Sequence, residues 1–140
     1  MFSQRVRSVM RKQNFLTAPP ETTVSNAAML MARKNVGAVM VVDDEKLVGI
    51  FTERDAVFRV IAQGRDAQTT RLAEVMTTSP QTVDPDKLYG YALLMMQENG
   101  FRHAPVIENG KPIGIVSSRN ALDPELEEFV SETQRRANIR

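Results

Sequence analysis

The chain has 140 residues, with 18 Lys and Arg against 17 Asp and Glu, and hence a net charge of +1. It contains no cysteine and one histidine, which exclude disulfides, thiolate metal sites, a thiol nucleophile and a multi-histidine metal centre. No apolar stretch approaches the roughly 20 residues of a membrane span, and the N-terminus lacks the apolar region of a signal peptide, so we expect a cytoplasmic protein.

The sequence repeats itself once. The stretch 41–55 matches the stretch 106–120, which lies 65 residues later, with identities at Val, Lys, Gly, Ile and Arg. The helical stretch ahead of it matches at a shift of 64, and Gly100 accounts for the extra residue. The dipeptide Val9-Met10 recurs as Val75-Met76, so each copy begins with the same short element. The repeat therefore predicts two half-domains of similar plan.

The first helix of each copy carries an apolar stripe at the spacing i, i+3, i+4 and i+7. The stripe residues are Val24, Ala27, Ala28 and Met31 in copy one, and Leu88, Tyr91, Ala92 and Met95 in copy two. We expect the two helices to end at Asn35 and at Asn99-Gly100, because Asn and Gly tolerate the left-handed conformation that closes many helices.

A β-hairpin is predicted after each of these helices. In copy one the strands 38–42 and 47–52 flank an acidic turn, and in copy two the strands 104–107 and 112–117 flank a turn that contains Asn109-Gly110. Asn-Gly is a strong signal for a hairpin turn. A second helix follows each hairpin, over 53–63 and over 118–122. The fold class is therefore α/β (α+β), with the plan β-α-β-β-α occurring twice.

The chain is expected to divide into four segments. Copy one with its N-terminal segment occupies 1–64, a polar linker 65–71, copy two 72–122, and a C-terminal helix with its tail 123–140. Asp123 and Pro124 suit a helix cap and a first helical position. Basic residues cluster at both termini, but no nucleic-acid-binding pattern accompanies them, so we interpret them as solvated ends.

The doubled plan resembles the tandem CBS domain pair, often called a Bateman module. The resemblance covers Val9 to Leu122 and is carried by the phrases GAVMVVDDEKLVGIFTERD and RHAPVIENGKPIGIVSSRN. It implies two β-α-β-β-α repeats packed with pseudo-two-fold symmetry around two clefts. In many members these clefts hold adenosine-containing ligands such as AMP, ATP, NAD or S-adenosylmethionine. The family mostly senses and regulates, and its modules often form dimers.

The most informative family motif is Thr or Ser followed three positions later by Asp or Asn, here Thr52 with Asp55 and Ser117 with Asn120. A carboxylate at a helix start can accept hydrogen bonds from ribose hydroxyls, and the exposed N–H groups there favour a phosphate. The same spacing is that of a helix capping box, which needs no ligand. The resemblance favours the ribose role for Asp55, whereas Asn120 carries no charge and predicts a weaker site.

Four basic residues are candidates for phosphate contacts: Arg54, Arg102, His103 and Arg119. A guanidinium can bind phosphate oxygens bidentately. The alternative is a solvated basic face with weak ion pairs. His103 aligns with Ala38, so the two clefts differ chemically, and it could instead be a half-buried strand residue bonded to a backbone carbonyl.

An adenine ring needs a flat apolar slot with a few backbone hydrogen bonds. The candidate segments are 16–18 with 36–39 in copy one, and 81–83 with 101–104 in copy two. The candidate residues within them are Thr17, Val36, Ala38, Val39, Thr82 and Ala104. Core packing is the alternative for the apolar ones, above all for Val39 and Ala104.

These observations predict a regulatory module that binds an adenosine nucleotide, with NAD or AMP preferred and ATP next, and that signals to an effector protein. We expect a homodimer with no catalytic cofactor, no metal, and neither nucleic acid nor membrane as a partner. No phosphate loop, dinucleotide fingerprint or nucleophile elbow is present, which argues against an enzyme. The alternative function is a ligand-free homodimerisation or scaffold module.

Overall fold

The computed structural model describes residues 2–10, 14–121, 129, 132 and 133. The helices are α1 (Val6–Met10), α2 (Val24–Lys34), α3 (Glu53–Asp55), α4 (Leu72–Val75) and α5 (Tyr89–Asn99). The strands are β1 (Thr17–Ala18), β2 (Ala38–Asp43), β3 (Lys46–Thr52), β4 (Thr77–Thr78), β5 (His103–Glu108) and β6 (Lys111–Ser117). The predicted C-terminal helix lies outside the described residues, apart from helical positions at 129, 132 and 133. Within the described part of the chain, no helix has the length and apolarity that a membrane span needs.

Two sheets organise the molecule. The first has the order β1-β2-β3-β4, with β1 parallel to β2 and the other neighbours antiparallel. The second is the antiparallel pair β5-β6, which Val83 extends by a parallel bridge to Val106. This mixed α+β arrangement confirms the predicted fold class.

Both predicted hairpins are confirmed, and both turns have two residues in the left-handed region. The φ angles are 51° at Asp44 and 64° at Glu45, and 53° at Asn109 and 78° at Gly110. Such turns match the right-handed twist of the strands that they join. Each hairpin also has a register shift at the same place, after Val41 in copy one and after Val106 in copy two.

The apolar stripe of the first helices differs from the prediction. The buried residues are Val24, Ala27 and Met31 in α2, and Tyr89, Ala92 and Met96 in α5. Ala28 and Tyr91 were predicted inside, but both are exposed. The copies therefore align at a shift of 65 through the helix, not 64. Apolar residues occupy most faces of α5, so the sequence periodicity alone is compatible with two adjacent choices of the buried stripe.

The predicted helix ends are confirmed at equivalent positions in this corrected register. Asn35 and Gly100 both lie in the left-handed region, with φ of 54° and 73°. The amide of Asn35 donates to carbonyls of the last turn of α2, and the amide of Gly100 does so in α5. These caps satisfy carbonyls that would otherwise lack a partner.

The second helix of each copy forms where it was predicted, but neither is a regular α-helix. In copy one α3 continues into a π-helical stretch, Ala56–Ile61, in which the Ala62 amide donates to the Val57 carbonyl at 2.8 Å. In copy two the segment Ser118–Ala121 is a 3₁₀ turn, and the predicted last residue, Leu122, lies outside the described part.

The two short leading helices are exchanged between the copies. Leu72 and Val75 of α4, which precedes copy two, are buried in the core of copy one with Val39 and Phe51. Val6 and Val9 of α1, which precedes copy one, are buried in the core of copy two with residues that include Tyr89, Val106 and Val116. Such reciprocal contacts are what a two-fold relation between the copies requires.

Backbone hydrogen bonds hold the exchanged segments in place. The amide of Val24, which begins α2, donates to the Thr70 carbonyl at 2.9 Å, and the amide of Tyr89, which begins α5, donates to the Gln4 carbonyl at 2.7 Å. The segment before each short helix therefore supplies acceptors to the first turn of the other copy's long helix. These are groups that a helix cannot satisfy by itself.

A third apolar cluster lies between the two hairpins. It consists of Ala38, Ile50 and Ile115, and strands β3 and β6 contact each other there. Ile50 and Ile115 are equivalent residues of the two copies. The hairpins are therefore packed directly against one another, and this contact brings the candidate site residues of the two copies close together.

Two equivalent glycines give a test of how the hairpins pack against the exchanged leading segments. A methyl group at Gly49 would clash with Sδ of Met76 and lie 3.0 Å from the Thr77 carbonyl oxygen, whereas at Gly114 it would lie 3.0 Å from Sδ of Met10. We expect Gly49→Ala to lower the free energy of unfolding by about 1–3 kcal/mol, because the added methyl group would meet a backbone oxygen as well as a side chain, and the backbone cannot shift as easily. Gly114→Ala is the matched control with a smaller loss. Urea unfolding of both variants measures the difference, and equal losses would contradict it.

Candidate functional site

The candidate clefts lie where each hairpin meets its second helix. In copy one the Glu53 amide donates to the Gly37 carbonyl at 3.1 Å, and in copy two the Ser118 amide donates to the Arg102 carbonyl at 3.0 Å. These equivalent bonds tie the segment before the first hairpin strand to the start of the second helix. Two of the predicted site segments are thereby brought together in each copy.

Thr52 and Asp55 form a complete capping box at the start of α3. The Asp55 amide donates to Oγ1 of Thr52 at 3.3 Å, while Oδ2 of Asp55 accepts from the Thr52 amide at 3.0 Å and from its hydroxyl at 3.2 Å. Asp55 is 7% exposed. The cap that the spacing predicts is therefore present, and it holds a carboxylate at the helix start.

The equivalent junction in copy two is built differently. Ser117 is buried, and its carbonyl accepts a hydrogen bond of 2.6 Å from the hydroxyl of Tyr89, which is also buried. Asn120 belongs to the 3₁₀ turn, but its side chain lies outside the described part of the structure. Copy two thus presents a 3₁₀ turn at the place where copy one presents the capping box of Asp55.

His103 lies at the boundary between the two copies. A methyl group at Gly37 would lie 2.9 Å from Oε1 of Glu53 and 3.4 Å from Nε2 of His103, so these three residues of different copies are neighbours. His103 occupies the position equivalent to Ala38, which is buried between the hairpins. The predicted chemical difference between the clefts therefore falls at their shared border.

The surroundings of His103 favour its neutral form. Burial lowers the pKa of His103 below its ordinary value of 6.5, the positive charges of Arg119 and Arg102 lower it further, and the carboxylate of Glu53 raises it. Because the unfolded chain binds this proton more readily, stability is lost as the pH falls from 6.5 toward the lower pKa of the folded state.

The other predicted basic residues are exposed. Arg102 and Arg119 lie close enough to act on the charge of His103, so the two guanidinium groups form a positively charged region beside this histidine in copy two. Arg54 is separate, since its guanidinium lies 4.6 Å from the centre of the Phe58 ring. That stacking is a cation–π contact, and it gives Arg54 a structural partner in the absence of a phosphate.

The predicted adenine slot is part core and part surface. The side chains of Val39 and Ala104 are fully buried in the two cores, so only their backbone could meet a ligand. Val36 is half-buried against the first core, and Thr17 and Thr82 are exposed. The side chains of Val39 and Ala104 therefore serve core packing, which was the alternative to a role in binding adenine.

The sequence did not single out three residues that take part in this arrangement: Gly37, Glu53 and Arg59. Gly37 and Glu53 border His103, and Nε of Arg59 lies 3.5 Å from Oδ1 of Asp55. A signal existed for Arg59, because an Asp and an Arg four residues apart meet on a helix surface. No comparable local signal existed for the contact between residues 37 and 103.

Two further features of the described residues bear on the site. They include no group of three or more His, Asp or Glu side chains that could hold a metal ion. A cavity of about 310 Å³ lies near the start of α5, lined by Arg5, Asp84, Asp86, Lys87, Leu88 and Tyr91. None of these residues is among the predicted site residues.

A family model for the CBS domain matches the chain twice, at residues 6–62 and 72–124. A curated relative, the meiotically up-regulated gene 70 protein of Schizosaccharomyces pombe, is 39% identical over 118 residues, covering 76% of this chain and 16% of that protein. The chain therefore spans a small part of this relative's length.

Solved structures with CBS domains share the fold. A candidate signal-transduction protein from Burkholderia ambifaria has a TM-score of 0.81 and 31% identity, covering 89% of this chain and 95% of that one. A hexameric CBS-CP12 protein from bloom-forming cyanobacteria has a TM-score of 0.78 and 30% identity, and the match covers 85% of this chain and 69% of that one. A Pyrobaculum aerophilum protein complexed with AMP has a TM-score of 0.76 and 24% identity, and the match covers 84% of this chain and 89% of that one. At this identity the likeness shows the fold alone.

The single histidine gives a direct test of the geometry at the copy boundary. We expect an NMR titration of His103 to have its midpoint below 6.5, and Glu53→Gln to lower the pKa further, because the carboxylate that favours the imidazolium is removed. Arg119→Gln should raise it. Glu21→Gln removes an exposed carboxylate outside the group that acts on His103 and serves as the control. If Glu53→Gln leaves the pKa of His103 unchanged, the carboxylate of Glu53 does not lie beside His103.

Proposed function

The chain belongs to the CBS-domain family, and from this premise we propose that it is a regulatory module that binds an adenosine nucleotide in the clefts between its repeats. The preferred ligands are AMP and NAD, followed by ATP. The module signals the bound ligand to an effector protein through a change in its shape or its association. The module acts as a sensor and not as an enzyme.

The observation that carries this proposal is the Thr52–Asp55 junction. It holds a nearly buried carboxylate at a helix start, beside the segment that crosses from α2 to β2. Oδ2 is engaged in the capping box, and Oδ1 has only a 3.5 Å ion pair with Arg59. Oδ1 thus retains capacity to accept hydrogen bonds from a ribose, and hydrogen bonds to charged groups are the stronger ones.

The phosphate end of the ligand is assigned to the positive region of copy two. Arg102 and Arg119 are exposed beside the half-buried His103, and guanidinium groups suit phosphate oxygens. A bound phosphate would favour the protonated form of His103 and so oppose the effect of the two arginines. Arg54 is the corresponding candidate in copy one, where binding would compete with its contact to Phe58.

The two clefts are proposed to differ in strength. Copy one provides Asp55 as a charged acceptor, whereas copy two provides Asn120 at the equivalent sequence position. The adenine would rest on backbone groups near Val36 to Val39 in copy one and near Phe101 to Ala104 in copy two. The AMP bound by the Pyrobaculum aerophilum protein, which shares this fold, supports the choice of ligand.

A ligand-free scaffold is the second candidate function. The completeness of the Thr52–Asp55 capping box favours it, because the box gives both residues a structural role that needs no ligand. The exposed apolar residues on the long helices favour it as well. They are Met29 and Leu30 on α2, which are 49% and 37% exposed, and Tyr91 and Leu94 on α5, which are 65% and 51% exposed.

These exposed residues also support the proposed homodimer. Both long helices expose these apolar residues to solvent in addition to the apolar residues that they bury, and exposed apolar patches on soluble proteins commonly mark interfaces. The hexameric relative indicates that CBS-domain pairs can also form larger assemblies. We take a second copy of this chain as the occupant, since both helices belong to the same repeated plan.

The ligand proposal predicts an ordered effect of three substitutions in calorimetric titrations. Asp55→Ala should weaken AMP binding more than Asn120→Ala, by about tenfold or less, because hydrogen bonds to charged groups are stronger than neutral ones. Arg102→Ala should weaken AMP but hardly affect adenosine, which lacks the phosphate.

Loss of the helix cap is the confounding effect of Asp55→Ala. Thr23→Ala is the matched control, since Oγ1 of Thr23 caps α2 by accepting from the Asn26 amide at 3.2 Å. It should cost about 1 kcal/mol of stability and leave AMP binding intact. Equal AMP affinity for the parent and Asp55→Ala would reduce the motif to a cap. A parent chain whose melting temperature no adenosine nucleotide raises would favour the scaffold function.

The dimer proposal predicts that Leu94→Glu lowers the mass measured by light scattering from twice 15.7 kDa toward 15.7 kDa at micromolar concentration. A charge in a buried apolar contact is costly to desolvate, which is the reason for the effect. Gln68→Glu adds the same charge at an exposed position of the linker and should leave the dimer intact. A parent chain of 15.7 kDa would refute the homodimer.

A further inference from the structure

Arg59 connects the candidate ribose site of copy one to the chain that leads into copy two. Its Nε lies 3.5 Å from Oδ1 of Asp55, and its Nη1 donates to the carbonyls of Met76 at 2.9 Å and of Val75 at 3.3 Å. One guanidinium thus spans the carboxylate at the start of α3 and the C-terminal end of α4. A planar group with several donors in fixed directions suits such a bridge.

The two carboxylate oxygens of Asp55 have different partners, and this difference defines the role of Arg59. Oδ2 accepts two hydrogen bonds from Thr52, which fix one side of the carboxylate. Oδ1 lies on the side of Arg59, so the guanidinium sets the direction in which this oxygen presents its remaining capacity. A residue that acts on the ligand through Asp55 in this way is a positioning residue.

The other end of the bridge reaches a tightly packed segment. A methyl group at Gly49 would clash with Sδ of Met76, so the side chain of Met76 is packed closely against β3. Directly after it, β4 pairs with β3 through Thr77 and Thr78. Strand β3 ends at Thr52, which is the first residue of the capping box. Contacts therefore run from Thr52 and Asp55 through Arg59 to Met76, and from β4 back along β3 to Thr52.

This bridge is specific to copy one. The residue 65 positions after Arg59 is Pro124, whose side chain carries no charge and cannot donate a hydrogen bond. Position 120, equivalent to Asp55, is an uncharged Asn. The repeat therefore offers a built-in contrast, with the cation and the carboxylate present together in one copy and replaced together in the other.

We infer that Arg59 positions Asp55 for the ribose of the ligand, and that it couples occupation of the copy-one cleft to the segment Met76–Thr78 near the start of copy two. This inference rests on the proposed adenosine-nucleotide function. A ribose bonded to Oδ1 restricts the carboxylate, the restricted carboxylate holds Arg59, and Arg59 holds the carbonyls at the end of α4. Ligand binding at copy one thereby stabilises the connection between the copies.

The ribose role is tested by combining protein variants with two nucleosides, adenosine and 2′,3′-dideoxyadenosine. Arg59→Met should weaken adenosine by about threefold to tenfold, should leave dideoxyadenosine unchanged, and should add nothing in the Asp55→Ala background. A merely structural role would weaken both nucleosides equally. Arg65→Met is the matched control, because Arg65 pairs with Glu74 of α4 at 3.1 Å without contacting Asp55.

The coupling to Met76–Thr78 is tested by hydrogen exchange of these amides, with and without adenosine. Without ligand, Arg59→Met and Asp55→Ala should both speed their exchange, and Arg65→Met should not. Adenosine should slow the exchange in the parent and not in Arg59→Met. Unchanged exchange in both ligand-free variants would overturn the coupling.

The possible failures can be told apart. Equal losses for both nucleosides, or additive losses with Asp55→Ala, would overturn the positioning role while the nucleotide function stands. A parent chain that binds neither adenosine nor AMP would overturn the nucleotide function and the ribose role together. The ligand-free exchange measurement decides the coupling in that case as well.

Discussion

The exchange of the short helices α1 and α4 is the contact on which the rest of the structure depends. Each buries two apolar side chains in the core of the copy that it does not precede, and burial of one such side chain contributes about 1.5–3 kcal/mol. Neither core is complete without the other copy's leading segment. The two copies are therefore packed as one unit, which fixes the relative positions of the residues at their border.

This rigid pairing places an asymmetric set of residues at a nearly symmetric border. Ala38 and His103 are equivalent, yet one fills the small space between the hairpins and the other carries the only imidazole of the chain. Its pKa is lowered by burial and by two arginines of its own copy, and raised by Glu53 of the other copy. The electrostatics of one cleft are thus set in part by the sequence of the other repeat.

The Thr52–Asp55 junction combines a helix cap with the proposed ribose contact in the same carboxylate. A carboxylate that caps a helix is already oriented and partly dehydrated, so a ligand hydroxyl meets an acceptor that needs little reorganisation. Arg59 extends this arrangement to the end of α4. Stability and binding are therefore expected to be linked in copy one, and the cap variant Thr23→Ala is needed to separate them.

Local chemistry determined much of this protein from the sequence alone. The Asn109-Gly110 turn, the left-handed helix ends at Asn35 and Gly100 and the capping box depend on residues close in the chain, so their types and spacing suffice to predict them. The register of α5, the exchange of α1 and α4, and the meeting of Gly37, Glu53 and His103 were decided only by tertiary structure. The reason is physical: α5 is apolar on several faces, and contacts between residues far apart in the chain depend on which surfaces can bury one another, which no local pattern records.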